Sequence, residues 1–156
     1  MAPVRGIARA LLGGVFIFSG AKAVLRPERL VQRARPVTDR VSPLVNKIDD
    51  RIPSSAEALI RLNGAAQVTG GLLLASGSAP RPAAALLAGT LIPTTIAGHP
   101  FWTAQTKAQY DADVVQFAKN LAILGGLLLA AVDTAGSPSV RWRVRHYLDS
   151  RRDSDD

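Results

Sequence analysis

The sequence predicts an all-α chain folded as an integral membrane four-helix bundle, with a short interfacial helix between spans one and two. Three observations carry that prediction. The averages, 20% charged residues and a mean hydropathy of +0.14 over 156 residues, would suit a soluble domain, but the charge is segregated. Residues 62–80 and 82–106 hold no Asp, Glu, Lys or Arg, whereas 26–51 hold eleven. About 20 apolar residues in a helix cross a hydrocarbon core of roughly 30 Å, and runs of that size occur four times, at about 7–25, 56–77, 82–98 and 113–132. Glycine pairs recur inside the runs, as helices need where lipid supplies no hydrophobic drive to associate and backbones must approach closely. The organisation is thus a four-span membrane domain over 1–136 and a charged tail over 137–156, partly disordered towards 150–156.

Taken in order, the first span is flanked by Arg5 and Arg9 and ends on Lys22 and Arg26, whose long stems can snorkel to the headgroups. The same stretch admits a signal-peptide reading, with Ala10 to Phe18 as the apolar region and Ala21-Lys22-Ala23 as a cleavage site. Between spans one and two, Pro27, Pro36, Pro43 and Pro53 are expected to break the chain into short pieces. Leu44, Val45, Ile48 and Ile52 lie at helical spacing opposite Asn46, Lys47, Asp49, Asp50 and Arg51, the pattern of a helix in the interface or on a solvated surface. Ser54-Ser55-Ala56-Glu57 has the capping-box form, with Ser54 as cap, and starts span two. Pro80-Arg81-Pro82 makes a tight hairpin into span three, which Pro93 is expected to kink. Span four ends before Asp133 and Gly136.

The segments Gly13-Gly14-Val15-Phe16-Ile17-Phe18-Ser19-Gly20 and Gly70-Gly71-Leu72-Leu73-Leu74-Ala75-Ser76-Gly77 echo each other, and Gly125-Gly126 repeats the core of the pattern; all are read as packing positions. Cysteine is absent, which excludes disulfides, thiolate metal sites and thiol redox steps. The net charge of +7 and pI near 10.8 are read as contacts to anionic lipid headgroups, with no nucleic-acid partner. Four spans put both termini on one side. Basic residues outside the spans then divide eight to eight, so the positive-inside rule does not orient the chain.

The polar residues inside the spans fall towards one end. Lys22 closes span one, Arg61, Asn63 and Gln67 open span two, His99 closes span three, and Asp113, Gln116, Lys119 and Asn120 open span four. Asn63 with Gln67, and Gln116 with Asn120, are i,i+4 pairs that can share a helical face. Polar groups in a membrane are expensive and usually face a partner or a wet cavity, so this cluster, with Trp102 beside it, is the expected ligand site, and interhelical hydrogen bonding is the structural alternative. Lys22, Gln67, His99 and Asn120 would act as donors to headgroup oxygens, with Asp113 paired to Lys22 or Lys119. A haem held by His99 and His146 is not expected, since a whole span separates them; Phe101, Trp102, Trp142 and Tyr147 read as interfacial aromatics.

These residues together resemble the DoxX family of four-helix bacterial membrane proteins, in particular its actinobacterial branch. The resemblance rests on Arg9-Ala10-Leu11-Leu12-Gly13-Gly14 through Ser19-Gly20-Ala21-Lys22, and on Leu62-Asn63-Gly64-Ala65 through Gly70-Gly71-Leu72-Leu73-Leu74. More distinctive are Pro93-Thr94-Thr95 with Gly98-His99-Pro100-Phe101-Trp102, and Phe117-Ala118-Lys119-Asn120-Leu121 through Gly125-Gly126 to Asp133-Thr134. A multi-pass protein of the bacterial plasma membrane is expected, with its termini on the same, cytoplasmic side. The resemblance implies an accessory subunit in a redox or quinone-linked assembly, because the family takes its name from a membrane subunit associated with thiosulfate:quinone oxidoreductase. No autonomous catalysis is expected, and the implied partners are the bilayer, a redox protein, and a quinone or lipid. The competing expectation is a small-molecule or lipid-binding transport protein using the same polar end. Many family members carry Glu near the position of Gln67, and an amide cannot titrate, so no proton role carries over there.

Overall fold

A computed structural model describes residues 2–49 and 53–134. All regular structure among them is helical: α1 (Ala2–Leu25), α2 (Glu28–Ile48), α3 (Ala56–Ser76), α4 (Pro80–Gly98), a 3₁₀ turn (Phe101–Thr103) and α5 (Lys107–Val132). The tail, with Trp142, His146 and Tyr147, lies outside the described residues, as does Ile52.

The long helices α1, α3, α4 and α5 run antiparallel to their neighbours. A Cβ on Gly13 would meet the Gly71 carbonyl at 2.5 Å and one on Gly20 the Gly64 carbonyl at 2.5 Å, so α1 and α3 approach backbone to backbone in opposite directions. At the far end Arg9 pairs with Asp133 at 3.2 Å, and Arg81 donates to the Ala131 carbonyl at 3.0 Å. The start of α1, the α3–α4 hairpin and the end of α5 therefore share one end of the bundle. Phe16, Leu74, Leu87, Leu91 and Leu127, with Ala83, Ala84 and Ala88, form one buried core drawn from all four helices.

Two helices, Pro3–Leu25 and Lys107–Val132, are long and apolar enough to cross a membrane. Arg61, Asn63 and Gln67 dilute α3, and glycine, threonine and proline dilute α4. The two apolar helices are also the least covered: 22% of the α1 window and 6% of the α5 window is buried, which distinguishes them from the core helices of a water-soluble protein. Along α1, Val4, Ile7, Leu11, Val15 and Phe18 form an exposed stripe at three- and four-residue spacing, and Leu25, two turns on, is exposed too.

Four sequence expectations need correction. The connection between spans one and two is one helix of 21 residues, not short pieces, and it runs through Pro36 and Pro43. Both prolines and the carbonyl-bearing residues they would have bonded, Gln32 and Asp39, are exposed, so each lost bond opens to the outside rather than into packing. The cap of α3 is Ser55, which accepts from the Ala58 amide at 3.2 Å. The Ser54 carbonyl instead accepts from Ser42 at 2.7 Å, tying the end of α2 to the start of α3. Helix α5 begins six residues before the expected 113, because Thr106 caps it by accepting from the Gln109 amide and its first turns are too polar for a hydropathy run to reveal. Finally, the glycine echo is not one packing motif. Gly13, Gly20, Gly64 and Gly71 make the α1–α3 seam and Gly70 lies against Leu87, but Gly14 and Gly125 have nothing within 4 Å. Gly77 is the left-handed C-cap of α3, with φ 71°.

Candidate functional site

The polar residues that open α3 reach across to both neighbours. Gln67 is only 3% exposed although it sits mid-helix. Its Oε1 accepts from Ser19 of α1 at 2.9 Å and its Nε2 donates to the Thr94 hydroxyl of α4 at 3.1 Å. Asn63, one turn earlier, donates to the same hydroxyl at 3.0 Å, and Thr94 passes its own proton to the Thr90 carbonyl at 2.8 Å. Thr94 thereby uses two acceptor positions and one donor. The strip satisfies itself through three helices, and each amide keeps a second N–H.

Beside the strip lies a cavity of about 590 Å³ between α1, α2, α3 and α4, within the roughly 300–1,000 Å³ range of small-molecule sites. Helix α2 walls it with Leu30, Ala34, Val37 and Val41, a stripe at i, i+4, i+7 and i+11, and with the buried Thr38. Leu59, Ile60 and Leu62 of α3 add apolar surface opposite. Lys22, Arg33 and His99 also line it, and among the described residues no aspartate or glutamate does. The Lys22 ammonium rests 4.0 Å from the centre of the Phe18 ring, a cation–π contact.

The remaining expected site residues lie on the other side of α4. Asn120 donates to the Thr95 hydroxyl at 3.0 Å, and Thr95 donates to the Leu91 carbonyl at 2.8 Å. This bond locks α4 to α5 along a mostly apolar groove of about 180 Å³. Asp113 pairs with neither Lys22 nor Lys119; its Oδ1 lies 3.5 Å from His99 Nδ1, joining the C-terminal end of α4 to α5. Phe101 follows, edge-on to Trp102, Tyr110 and Phe117 at centroid distances of 5.0, 6.0 and 5.2 Å. Trp102 itself is 55% exposed, and Gln116 and Lys119 are exposed on α5.

The single cluster expected from sequence is therefore two arrangements that share α4. Lys22, Asn63, Gln67 and His99 line the cavity; Asp113 touches it only through His99; Asn120 serves the α4–α5 contact; Trp102, Gln116 and Lys119 line neither recess. Sequence reading missed Ser19, Arg33, Thr90 and Thr94, and the inner face of α2. The α2 stripe was legible as a helical period, but four prolines hid it. The threonines carry no such signal, because nothing in the sequence shows that their hydroxyls are bonded to their own helix, Thr90 at i−3 and Thr94 at i−4.

Chemically, the cavity offers an apolar body, amide and hydroxyl donors on one wall, and cationic groups with no lining acid among the described residues. Among the described residues no three His, Asp or Glu side chains converge as a metal site would require. The DoxX family model matches residues 5–100, which span α1 to α4 and include every helix that walls the cavity. Neither the curated proteins nor the solved structures contain a match.

Proposed function

The chain belongs to the DoxX family, and on that footing we propose that it is a four-span accessory subunit of a redox or quinone-linked assembly in the bacterial plasma membrane. In this reading α1, α3, α4 and α5 are the spans of a membrane domain over 1–136, and 137–156 is a charged cytoplasmic tail. Helix α2 lies at the interface with Arg29, Arg35 and Arg40 towards the headgroups. The pairing of Arg9 with Asp133 supports the same-side placement of the two termini.

The observation that carries the reading is the cavity: a recess of about 590 Å³ in a bundle whose outer helices are too apolar and too bare for water. Its polar wall would meet the headgroup of a quinone or lipid, with Lys22, Asn63, Gln67 and His99 as the contacting residues. Asn120, Asp113, Gln116, Lys119 and Trp102 would then serve helix packing and the α5 surface, where a redox protein partner would dock. The second reading, a small-molecule or lipid-binding transport protein, draws on the same recess and needs no protein partner. Affinity purification from mildly solubilised membranes, followed by native mass spectrometry, separates the two. A redox protein held in fixed stoichiometry is the expected result. The chain alone, carrying only small molecules, would favour transport or binding and reject the accessory role.

A further inference from the structure

We propose that the cavity holds an amphiphile with a phosphate headgroup, the phosphate against Lys22 and Arg33 and the chain among the apolar side chains of α2 and α3. The inference rests on reading this cavity as a ligand site and narrows the chemistry of what fills it.

Charge is the first argument. Lys22 and Arg33 reach the cavity from different helices, and among the described residues no carboxylate lines it. Neither cation has an ion-pair partner among the described residues. The Lys22 ammonium rests on an aromatic face that is itself 66% exposed, a weaker attachment than a phosphate oxygen offers. Both side chains are exposed at the rim of the recess; a neutral quinone would only accept hydrogen bonds from them, whereas a phosphate adds charge-assisted bonds.

Shape is the second. The wall built by Leu30, Val37 and Val41 of α2 and Leu59, Ile60 and Leu62 of α3 is a surface for a hydrocarbon chain, not for a free anion. A soluble phosphate would use the two cations and leave this surface wet. Asn63 and Gln67 line the same recess, and each has a second N–H beyond its bond to Thr94 that an ester oxygen joining a headgroup to its chain could accept from. Phosphate-headed amphiphiles come from two sources, membrane phospholipids and prenyl phosphates, and the recess suits the chemistry they share.

The test uses the whole chain in a neutral detergent, titrated with phosphatidylglycerol, phosphatidylcholine, farnesyl phosphate, farnesol and decylubiquinone, and read by native mass spectrometry. One molecule with a net anionic phosphate headgroup per chain should bind roughly thirtyfold tighter than its uncharged or zwitterionic counterpart, about fivefold for each cation near the phosphate. Lys22→Gln with Arg33→Gln should erase that preference, and Arg29→Gln with Arg40→Gln, on α2 but outside the cavity lining, should keep it. Ala34→Phe, which fills the recess, should abolish one-to-one binding, with an unchanged melting temperature confirming the fold. Binding of phosphatidylglycerol but not farnesyl phosphate assigns the source to the phospholipid pool, and the converse to prenyl phosphates. Equal loss in the Arg29/Arg40 variant would reduce the effect to surface charge and overturn the proposal. Decylubiquinone binding that Ala34→Phe blocks, with no phosphate preference, would overturn it too while leaving the cavity a ligand site. No binding of any probe would remove both.

Discussion

The α1–α3 seam and the cavity beside it are neighbours built on opposite rules. In the seam, glycine brings two backbones together until a single added carbon would strike a carbonyl oxygen at 2.5–2.8 Å. Beside the seam, leucines of α2 and α3, valines of α2 and threonines of α2 and α4 line a recess of about 590 Å³. Gln67 belongs to both, since it lies between Gly64 and Gly71 in the seam and bonds across to Ser19 and Thr94 at the edge of the recess. The contrast teaches that the opening is not loose packing in general. A bundle able to bring backbones into contact keeps a wide recess beside that seam, and has put its buried amide there.

The sharpest way to break the comparison is to push the seam apart. Gly20→Leu places a side chain against a backbone carbonyl that no rotamer change can move aside, so we expect a loss of about 3 kcal/mol or more, seen as failed accumulation in membranes or a collapsed melting temperature in detergent. Gly14→Ala, with open space around it, should instead gain about 0.5–1 kcal/mol from helix propensity. Equal effects at the two positions would show that the seam is not closed by glycine. Next in size is Gln67→Leu, which keeps the volume but removes the acceptor of Ser19 and empties one acceptor position at Thr94; about 1–2 kcal/mol is expected, together with loss of ligand retention.

Asn120→Leu sharpens the division across α4. It should cost about 1 kcal/mol through Thr95 and leave cavity binding unchanged, because Asn120 does not line that recess. Ligand loss matching that of Gln67→Leu would merge the two arrangements into one site. Smallest is Arg9→Gln, at the far end of the bundle. The pair with Asp133 is partly exposed, so its removal should lower stability by about 0.5 kcal/mol, with the loss diminishing in high salt.

How much of this was legible depended on where each signal lay. The four long helices were readable because lipid-length apolar runs are coarse features that hairpin signals such as Pro80-Arg81-Pro82 separate cleanly. Helix α2 was not, since prolines on an exposed face break far less than prolines in a packed one, and exposure is not written locally. Gln67 and Asn63 stood out as amides in apolar sequence, and the structure brings both to the recess. Asn120 stood out equally and went elsewhere, because which side of α4 a residue meets depends on tertiary order. Thr94, the hub of the polar strip, was invisible for the reason that makes it useful: its hydroxyl is already spent on its own helix and on two amides.

The absence of cysteine from the chain permits the most direct test of the central claim, that the recess between α1 and α4 is a ligand site. A single thiol introduced as Ala66→Cys, in the cavity wall, would be labelled with N-ethylmaleimide in detergent, with Ala118→Cys on the exposed face of α5 as reference. Adding phosphatidylglycerol should slow labelling at position 66 and leave position 118 unchanged. Equal protection at both positions, or at neither, would contradict the account.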